Sequence, residues 1–329
     1  MDVGYLCTFT PKELIHSAGF RPFRIFASSE PISYASSHIQ SYACSQARGC
    51  LERLLRGELD LYGVVFTRCC DTLMRLADIW ERNSDMKVYN IEFPTRMDSR
   101  GKNFFIRELR DFAKTLENWG GEIRLESLKE SIALYRKLEE MLKKLFQNKP
   151  NYELIVKVQM MEVEKAVGLV ERELKKAEKI ENRPKILVTG SVCPFIEVYN
   201  IFDEVGFSLV DDMCTGSRFF TFEYPDIEIE SIESAFEYLA EKYLMKSPCP
   251  TKHYQDDYRF NYVLNLAKNV DAVVFLLIKF CEPHFYDYPQ LKEKLEKMGK
   301  KVMLMELEFP IASYEQLRTR IEALYEVIS

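Results

Sequence analysis

Apolar runs of strand length alternate with amphipathic stretches of helical period in the first third of the chain. Strands are predicted at residues 3–9, 23–27, 63–67 and 88–91. Helices are predicted between them at 44–55 and 72–82. A further short helix is expected to start near Pro11 with Thr10 as its N-cap and to stop at Gly19.

The same alternation returns after Asn182-Arg183-Pro184. Its strands are predicted at 186–189, 208–210, 272–278 and 302–306. Its helices are predicted at 197–205, 232–243, 257–267, 289–298 and 314–327. Strands that alternate with helices predict mostly parallel sheets.

The intervening stretch is helical throughout and rich in Glu, Lys and Leu. Apolar residues recur there at helical spacing, at Leu134, Leu138, Met141, Leu142 and Leu145. The chain is therefore expected to divide into a first α/β lobe at 1–97, a helical linker or bundle at 98–182 and a second α/β lobe at 183–329. The predicted fold class is α/β, with two Rossmann- or flavodoxin-like lobes joined by a helical segment.

Composition and charge narrow the classes of function. The chain has 329 residues, 47% of them hydrophobic, which is enough for two compact cores. Its net charge is −6 and it shows no basic stripe, so nucleic acid is not an expected partner. There is no pattern of a secretory signal, and the longest apolar run is too short to cross a bilayer. We expect a soluble cytoplasmic protein with no membrane partner.

Nine cysteines are the most informative feature of the composition. Disulfides are disfavoured in a reducing compartment, and the odd number argues against complete pairing. Free cysteine also serves as a small core residue, and that alternative stays open for each of them. It is weaker for cysteines that lie among polar and turn residues.

Three cysteines lie where predicted strands give way to helices. These are Cys44, Cys70 and Cys281. A thiolate at a helix N-terminus is stabilised by the helix dipole and the free amides. Three such thiolates can hold three irons of a 4Fe–4S cluster and leave the fourth iron open. Zinc is the main competitor, although the paired C-x₂₋₄-C knuckles of structural zinc sites are absent from the sequence.

Several motifs occur together in a fixed order along nearly the whole chain. They are Thr10-Pro11-Lys12-Glu13, Cys44-Ser45-Gln46-Ala47-Arg48, Cys70-Asp71, Val188-Thr189-Gly190-Ser191, Asp211-Asp212 with Cys214, Gly216 and Arg218, Pro248-Cys249-Pro250, Lys279-Phe280-Cys281-Glu282-Pro283-His284 and Met305-Glu306. In this order the set resembles the 2-hydroxyacyl-CoA dehydratase and benzoyl-CoA reductase superfamily of iron–sulfur proteins.

The resemblance implies that Cys44, Cys70 and Cys281 ligate a cluster in the cleft between the lobes. It implies low-potential one-electron chemistry, with the electron supplied by a separate ATP-hydrolysing iron–sulfur activator. Gly190-Ser191 does not form a phosphate-binding loop, so no nucleotide site is expected on this chain.

Two further residues are candidates for a catalytic role. Glu13 matches an acidic position of the family. His284 is a candidate proton source or hydrogen-bond donor to a cluster sulfide, because the pKa of histidine lies near neutrality. The side chains of Arg48 and Arg218 either bind an anion or pair with carboxylates.

The cysteines outnumber the ligands of one cluster. Six thiolates would suit a branch of the superfamily that resembles the double-cubane cluster proteins, in which two cubanes share a bridging sulfide as an 8Fe–9S cluster. The candidates for a second trio of ligands are, in order, Cys193, Cys7, Cys249, then Cys50 and Cys214. Cys69 is expected to be a packing residue.

The leading functional hypothesis is a cluster protein that reduces a small substrate, and the resemblance then implies a homodimer. The alternative is a 2-hydroxyacyl-CoA dehydratase subunit with one 4Fe–4S cluster, which acts by ketyl-radical dehydration and needs a different partner subunit. The shorter segment before Thr10, compared with dehydratase subunits, favours the first. A closed electron-storage cluster and a binding protein with core cysteines are the remaining alternatives.

Overall fold

Two parallel β-sheets, each covered by helices on both faces, form the framework of the protein. The computed structural model describes residues 1–176, 183–252 and 254–328. Each sheet has four strands, and every pair of neighbouring strands is parallel. The fold class predicted from the sequence, two flavodoxin-like lobes, is confirmed.

The two sheets share one strand order. The first consists of β1 (Asp2–Tyr5), β2 (Arg21–Arg24), β3 (Gly63–Arg68) and β4 (Lys87–Glu92), in the spatial order β2-β1-β3-β4. The second consists of β5 (Lys185–Gly190), β6 (Ser208–Met213), β7 (Ala272–Ile278) and β8 (Lys301–Leu307), in the order β6-β5-β7-β8. The lobes therefore repeat one architecture.

The central strand β7 is apolar and buried along its whole length. Its successive side chains point to opposite faces, as strand geometry requires. Val274 and Leu276 thus enter the core on one face of the sheet, whereas Val273 and Phe275 enter the core on the other. A strand of this kind belongs to the middle of a parallel sheet with helices on both sides.

Thirteen α-helices lie in the described part of the chain. Those before β5 are α1 (Lys12–Ser17), α2 (Ser45–Leu55), α3 (Asp71–Arg82), α4 (Ser99–Asn118), α5 (Leu125–Asn148), α6 (Tyr152–Val158) and α7 (Val163–Lys176). Those after β5 are α8 (Ile196–Val205), α9 (Ser217–Phe220), α10 (Ile232–Leu244), α11 (Tyr258–Ala267), α12 (Glu282–Lys297) and α13 (Tyr314–Ile328). None of the helices described is long and apolar enough to cross a membrane.

Two local predictions are wrong. The helix expected at 289–298 begins at Glu282 and contains Pro289 in its interior. Pro283 lies in its first turn, where the fixed φ of proline favours a helix start. Thr10 is not the cap of α1: the capping residue is Pro11, and the Thr10 hydroxyl pairs with Thr67 Oγ1 at 2.8 Å.

The helical stretch after the first lobe contributes to both cores. Helix α4 packs on the first sheet, and the N-terminal half of α5 adds Leu128 and Ile132 to the same core. The C-terminal half of α5 places Leu138 and Leu142 in the core of the second lobe. Helix α10 follows β6 in sequence yet packs into the first core through Phe236. The division at 97 and 182 stays a prediction.

A buried ion network fixes α10 to the first lobe. Lys242 Nζ of α10 lies 2.6 Å from Glu13 Oε1 of α1 and 2.8 Å from Glu139 Oε2 of α5. Lys12 Nζ of α1 lies 2.8 Å from Glu139 Oε1. All four side chains are buried, and their charges cancel. Since an uncompensated buried charge is very unfavourable, the three helices must pack together for any of these groups to be buried.

Replacement of Lys242 by Met should therefore destabilise the protein strongly. The change leaves Glu13 without its ammonium partner and Glu139 with only Lys12. The expected loss in free energy of unfolding is about 3–5 kcal/mol, the usual effect of breaking a buried pair. Denaturant unfolding of the anaerobic, reduced protein measures it.

Lys102→Met is the matched control, because Lys102 of α4 pairs with Glu241 of α10 in a partly exposed ion pair. Its loss should lower the free energy of unfolding by less than about 1 kcal/mol. Equal losses in the two variants would contradict the structural role assigned to the buried network.

Candidate functional site

Three cysteines occupy the N-cap positions of three helices. Cys44 caps α2, Cys70 caps α3 and Cys281 caps α12. Cys70 follows the end of β3 by two residues, and Cys281 follows the end of β7 by three. Each is half-buried, which leaves part of each residue accessible. They belong to both lobes, so the site forms only when the lobes pack together.

The three thiols are close enough to influence one another electrostatically. Burial raises the pKa of Cys281 well above its ordinary value, and the charges of Cys44 and Cys70 raise it further. Burial likewise raises the pKa of Cys44 to about 11, and the charge of Cys70 adds to it. The structure therefore brings together the three cysteines that sequence reasoning selected.

Backbone amides of the capped helices point at the sulfur atoms. The amides of Ala47 and Gln46 act on Cys44, and those of Leu73 and Thr72 act on Cys70, in each case lowering the pKa of the thiol. For Cys44 the effect of burial is larger, whereas for Cys70 the hydrogen bond from Cys69 is the largest cause and lowers the pKa below its ordinary value. A free thiolate is thus partly, but not fully, stabilised by the protein, and a bound cation would complete the stabilisation.

This donor set fits an iron–sulfur cluster. Three thiols from different elements, each with amide donors, are the ligand type and surroundings that such clusters use. Among the described residues, no three His, Cys, Asp or Glu side chains converge closely enough to hold a single metal ion. The residues that would hold the cluster are Cys44, Cys70 and Cys281.

His284 lies beside one of these thiols. Its Nδ1 is 3.3 Å from Cys281 Sγ, and its Nε2 is 2.9 Å from a terminal nitrogen of Arg218. Burial, followed by the positive charges of Arg218 and Arg259, holds the pKa of His284 well below its ordinary value. The ring is therefore neutral at physiological pH. Both arginines considered from sequence pair with carboxylates: Arg218 with Asp212 at 2.8 Å, and Arg48 with Glu308 at 3.7 Å.

We call four more cysteines the second thiol group: Cys7, Cys69, Cys214 and Cys249. Cys7 and Cys69 influence the pKa of Cys70, Cys249 influences that of Cys281, and Cys214 influences that of Cys249. Cys69 Sγ is 3.4 Å from Cys7 Sγ, and Cys69 also hydrogen-bonds Cys70. The hydrogen bond from Cys69 to Cys7 lowers the pKa of Cys7 to about 6. The charge of Cys249 also raises the pKa of Cys281. Sequence reasoning treated Cys69 as a packing residue; the structure places it between two other thiols.

Cationic side chains border the second thiol group. An Arg24 terminal nitrogen lies 3.3 Å from Cys214 Sγ. Lys246 is buried, and its ammonium hydrogen-bonds the carbonyl of Arg218 and lies 5.3 Å from the centre of the Phe9 ring. Burial lowers its pKa to about 7, against the opposing effect of the Cys214 charge. No motif marks Lys246 in the sequence, because its partners come from distant segments.

Two predicted candidates are enclosed in the hydrophobic cores, although the charge of Cys44 contributes to the raised pKa of Cys50. Cys193 is fully buried in the core of the second lobe, and its Sγ faces the carbonyl of Phe195 at 4.0 Å. Burial raises its pKa to about 12. Cys50 is fully buried in the first lobe and donates to the carbonyl of Ile25 at 3.7 Å. Neither position favours a role as ligand.

Glu13 is fully buried within the ion network. Burial alone would raise its pKa, but the ammonium groups of Lys242 and Lys12 outweigh that effect and lower the pKa to about 2. Its other oxygen accepts from the Tyr243 hydroxyl at 2.8 Å. A carboxylate held ionised in this way has no proton to donate at neutral pH, so its position favours a structural role.

Two surface cavities lie away from the cysteines. One, of about 700 Å³, is lined by residues that include Tyr152, Tyr199 and Arg183. The other lies against β8 and includes Lys301 and Arg320. Neither is lined by a cysteine, so the thiols, and not these cavities, define the candidate site.

Comparison with known proteins gives one family over almost the whole chain. The sequence profile described as 2-hydroxyglutaryl-CoA dehydratase, D-component, matches residues 7–328. This confirms the superfamily resemblance found from the motifs.

Three relatives are similar over most of their length. The (R)-phenyllactyl-CoA dehydratase beta subunit of Clostridium sporogenes is 28% identical, with 99% of this chain and 91% of the relative covered. The beta subunit of lactoyl-CoA dehydratase from Anaerotignum propionicum is 26% identical, with the same coverage. A subunit of the benzoyl-CoA reductase of Thauera aromatica is 24% identical, with 89% of this chain and 81% of the relative covered.

The pH dependence of stability tests the assignment of Glu13. A folded pKa of about 2 lies below the ordinary value of 4.5, so the contribution of Glu13 is present above about pH 4.5 and is lost as the pH falls toward 2. Between pH 5 and pH 3, the free energy of unfolding of the wild type should fall by about 2 kcal/mol more than that of Glu13→Gln. Parallel pH profiles would contradict an ionised Glu13.

Alkylation tests which thiols are accessible. In metal-free protein at pH 8, iodoacetamide should modify Cys70 at least about tenfold faster than Cys50 or Cys193, because the latter are buried thiols with raised pKa values. Mass spectrometry of peptides gives the rates. Similar rates at all three positions would show that the fully buried thiols are not protected.

Proposed function

The chain belongs to the 2-hydroxyglutaryl-CoA dehydratase D-component family, and on this premise we propose that it is a catalytic subunit with an iron–sulfur cluster held by Cys44, Cys70 and Cys281. One observation carries the proposal: three half-buried cysteines cap three helices from the two lobes and influence one another. When bound, such a cluster supplies one-electron transfer at low potential.

The protein residues have three tasks at this site. The cysteines provide the thiolate ligands, and amides of their helices stabilise the negative charge. The packed lobes limit access of water, since the thiols are half-buried between them. His284 contacts the sulfur of Cys281, where it affects the electron density of the ligand.

The electron source is proposed to be a separate ATP-hydrolysing iron–sulfur activator. The sequence has no phosphate-binding loop with which this chain could bind a nucleoside triphosphate in that way. Each of the three relatives is named as one subunit of a larger enzyme, which supports a different partner subunit over a homodimer.

An acyl-CoA thioester is the substrate class best supported. The relatives are named for phenyllactyl-CoA, lactoyl-CoA and benzoyl-CoA. Two reactions fit a one-electron subunit: net reduction of the substrate, or dehydration, in which the electron is returned after hydroxide leaves. The high coverage of two dehydratase subunits favours dehydration, with reduction of a small molecule as the alternative.

The second thiol group favours a second candidate, an 8Fe–9S double-cubane cluster. Cys7, Cys69 and Cys70 follow one another in contact, so the first three ligands and the second thiol group are continuous. Cys7 and Cys249 are then better placed as additional ligands than Cys193, which is in the hydrophobic core.

Iron and acid-labile sulfide, measured after purification without oxygen, test the cluster. We expect about four irons per chain. Single replacements of Cys44, Cys70 or Cys281 by Ser should remove most of the iron, because three ligands must act together to hold a cluster. Cys193→Ser is the matched control and should keep it.

Other results have definite meanings. About eight irons, lost in part in Cys7→Ser and Cys249→Ser, would replace the single cluster by the double-cubane alternative. A folded protein without iron, or iron that depends on Cys193 but not on Cys281, would overturn the proposed site.

A further inference from the structure

A chain of buried polar side chains ends on one of the proposed cluster ligands. His284 Nδ1 lies 3.3 Å from Cys281 Sγ, and His284 Nε2 lies 2.9 Å from Arg218. Both His284 and Arg218 are buried. No part of the proposed function so far requires the arginine.

The arginine determines which ring nitrogen of His284 carries the hydrogen. A guanidinium group has only donors, so the Nε2 atom that faces Arg218 must accept. In the neutral ring, the hydrogen is then on Nδ1, which faces Cys281. The carbonyl of Gly190 is a second acceptor near the ring. With Nε2 facing Arg218, the contact with Cys281 is an N–H···S hydrogen bond in which His284 donates to the sulfur.

Arg218 is itself held in place by the Asp212 carboxylate. It donates twice to the Asp212 carboxylate, at 2.9 Å and 2.8 Å. Asp212 also accepts from the Thr189 hydroxyl at 2.7 Å and from Arg259 at 2.9 Å. Thr189 and Asp212 lie opposite each other on the paired strands β5 and β6, so the anchor is part of the rigid sheet.

The arrangement distinguishes Cys281 from the other two proposed ligands. Cys44 and Cys70 receive amides from the first turns of their own helices. Cys281 receives in addition a side-chain donor whose orientation is set by the second sheet. A donor directed at a thiolate withdraws electron density from it, which favours the more negative, reduced state of a bound cluster.

We propose that Asp212 and Arg218 act as positioning residues that hold the Nδ1–H of His284 on Cys281, and that this bond raises the reduction potential of the cluster. The inference rests on the proposed function, since it concerns the same cluster. It assigns to the Asp212–Arg218–His284 relay the control of that potential, and not a part in binding substrate.

The test uses three variants of the full-length, anaerobically purified protein. His284→Leu removes the donor. His284→Asn keeps an amide N–H near the position of Nδ1 but replaces the ring nitrogen that accepts from Arg218. His38→Leu makes the same chemical change at an exposed histidine and is the control. Iron content, the EPR spectrum of the reduced cluster and its midpoint potential are measured for each.

The expected result is a lower midpoint potential in His284→Leu with unchanged iron content. At the midpoint of the wild type, its ratio of reduced to oxidised cluster should fall roughly tenfold, which corresponds to about 59 mV for one electron. His284→Asn, which keeps a donor but loses the nitrogen that Arg218 orients, should recover at most part of the shift, and His38→Leu should match the wild type. An unchanged potential in His284→Leu would overturn the relay, and so would full recovery in His284→Asn, because the donor would then need no anchor from Arg218.

A second measurement is independent of the leucine variant, which can fail to retain the cluster. In wild type labelled with ¹⁵N-histidine, the reduced cluster should show a weak nitrogen hyperfine coupling that disappears in His284→Asn. No such coupling would overturn the hydrogen bond while leaving the cluster itself established. Absence of iron in the wild type would overturn the proposed function instead, so the two failures are distinguishable.

Discussion

The geometry of the parallel βα unit is the constraint on which the candidate site depends. In such a unit the strand ends and the following helix begins at the same edge of the sheet, so the free amides of the helix collect there. Cys70 and Cys281 occupy these edges in the first and second lobes, and Cys44 caps a further helix of the first. Because the lobes pack against each other, three helix N-termini meet where three thiols need stabilisation.

Burial of charge in this protein follows one rule: the ionised groups of its two buried networks have partners at hydrogen-bond distance. Glu13, Lys242 and Glu139 satisfy the rule where three helices meet, and Asp212 with Arg218 satisfies it at the edge of the second sheet. The thiols have no cationic partner of this kind among the proposed ligands, and burial raises the pKa of Cys44 and of Cys281. A cationic cofactor component would supply the missing compensation, which is why these residues suit a cluster.

The family match extends over almost the whole chain, residues 7–328. The relatives include two dehydratase subunits and one reductase subunit, so one scaffold serves both kinds of reaction. The second thiol group and the buried basic side chains Lys246 and Arg24 beside it are not required by the three proposed ligands alone. A double-cubane cluster would use thiols of this group as additional ligands, whereas a single cluster would not.

Local patterns in the sequence determined most strands and helices, the fold class and the selection of Cys44, Cys70 and Cys281. These depend on residue periodicity and on the chemistry of strand-to-helix turns, which are encoded within a few residues. The start of α12 lies at Glu282, before the predicted Pro289, because Pro283 in the first turn has a fixed φ that favours a helix start there.

Only the tertiary structure decided which side chains meet across long distances in sequence. In it, α10 packs on the first lobe, Cys193 lies in the core of the second lobe and Cys69 contacts Cys7. It also placed Arg218 against His284, a residue 66 positions away. Contacts of this kind depend on how complete elements pack, and a spacing or a motif in one sequence carries no record of that packing.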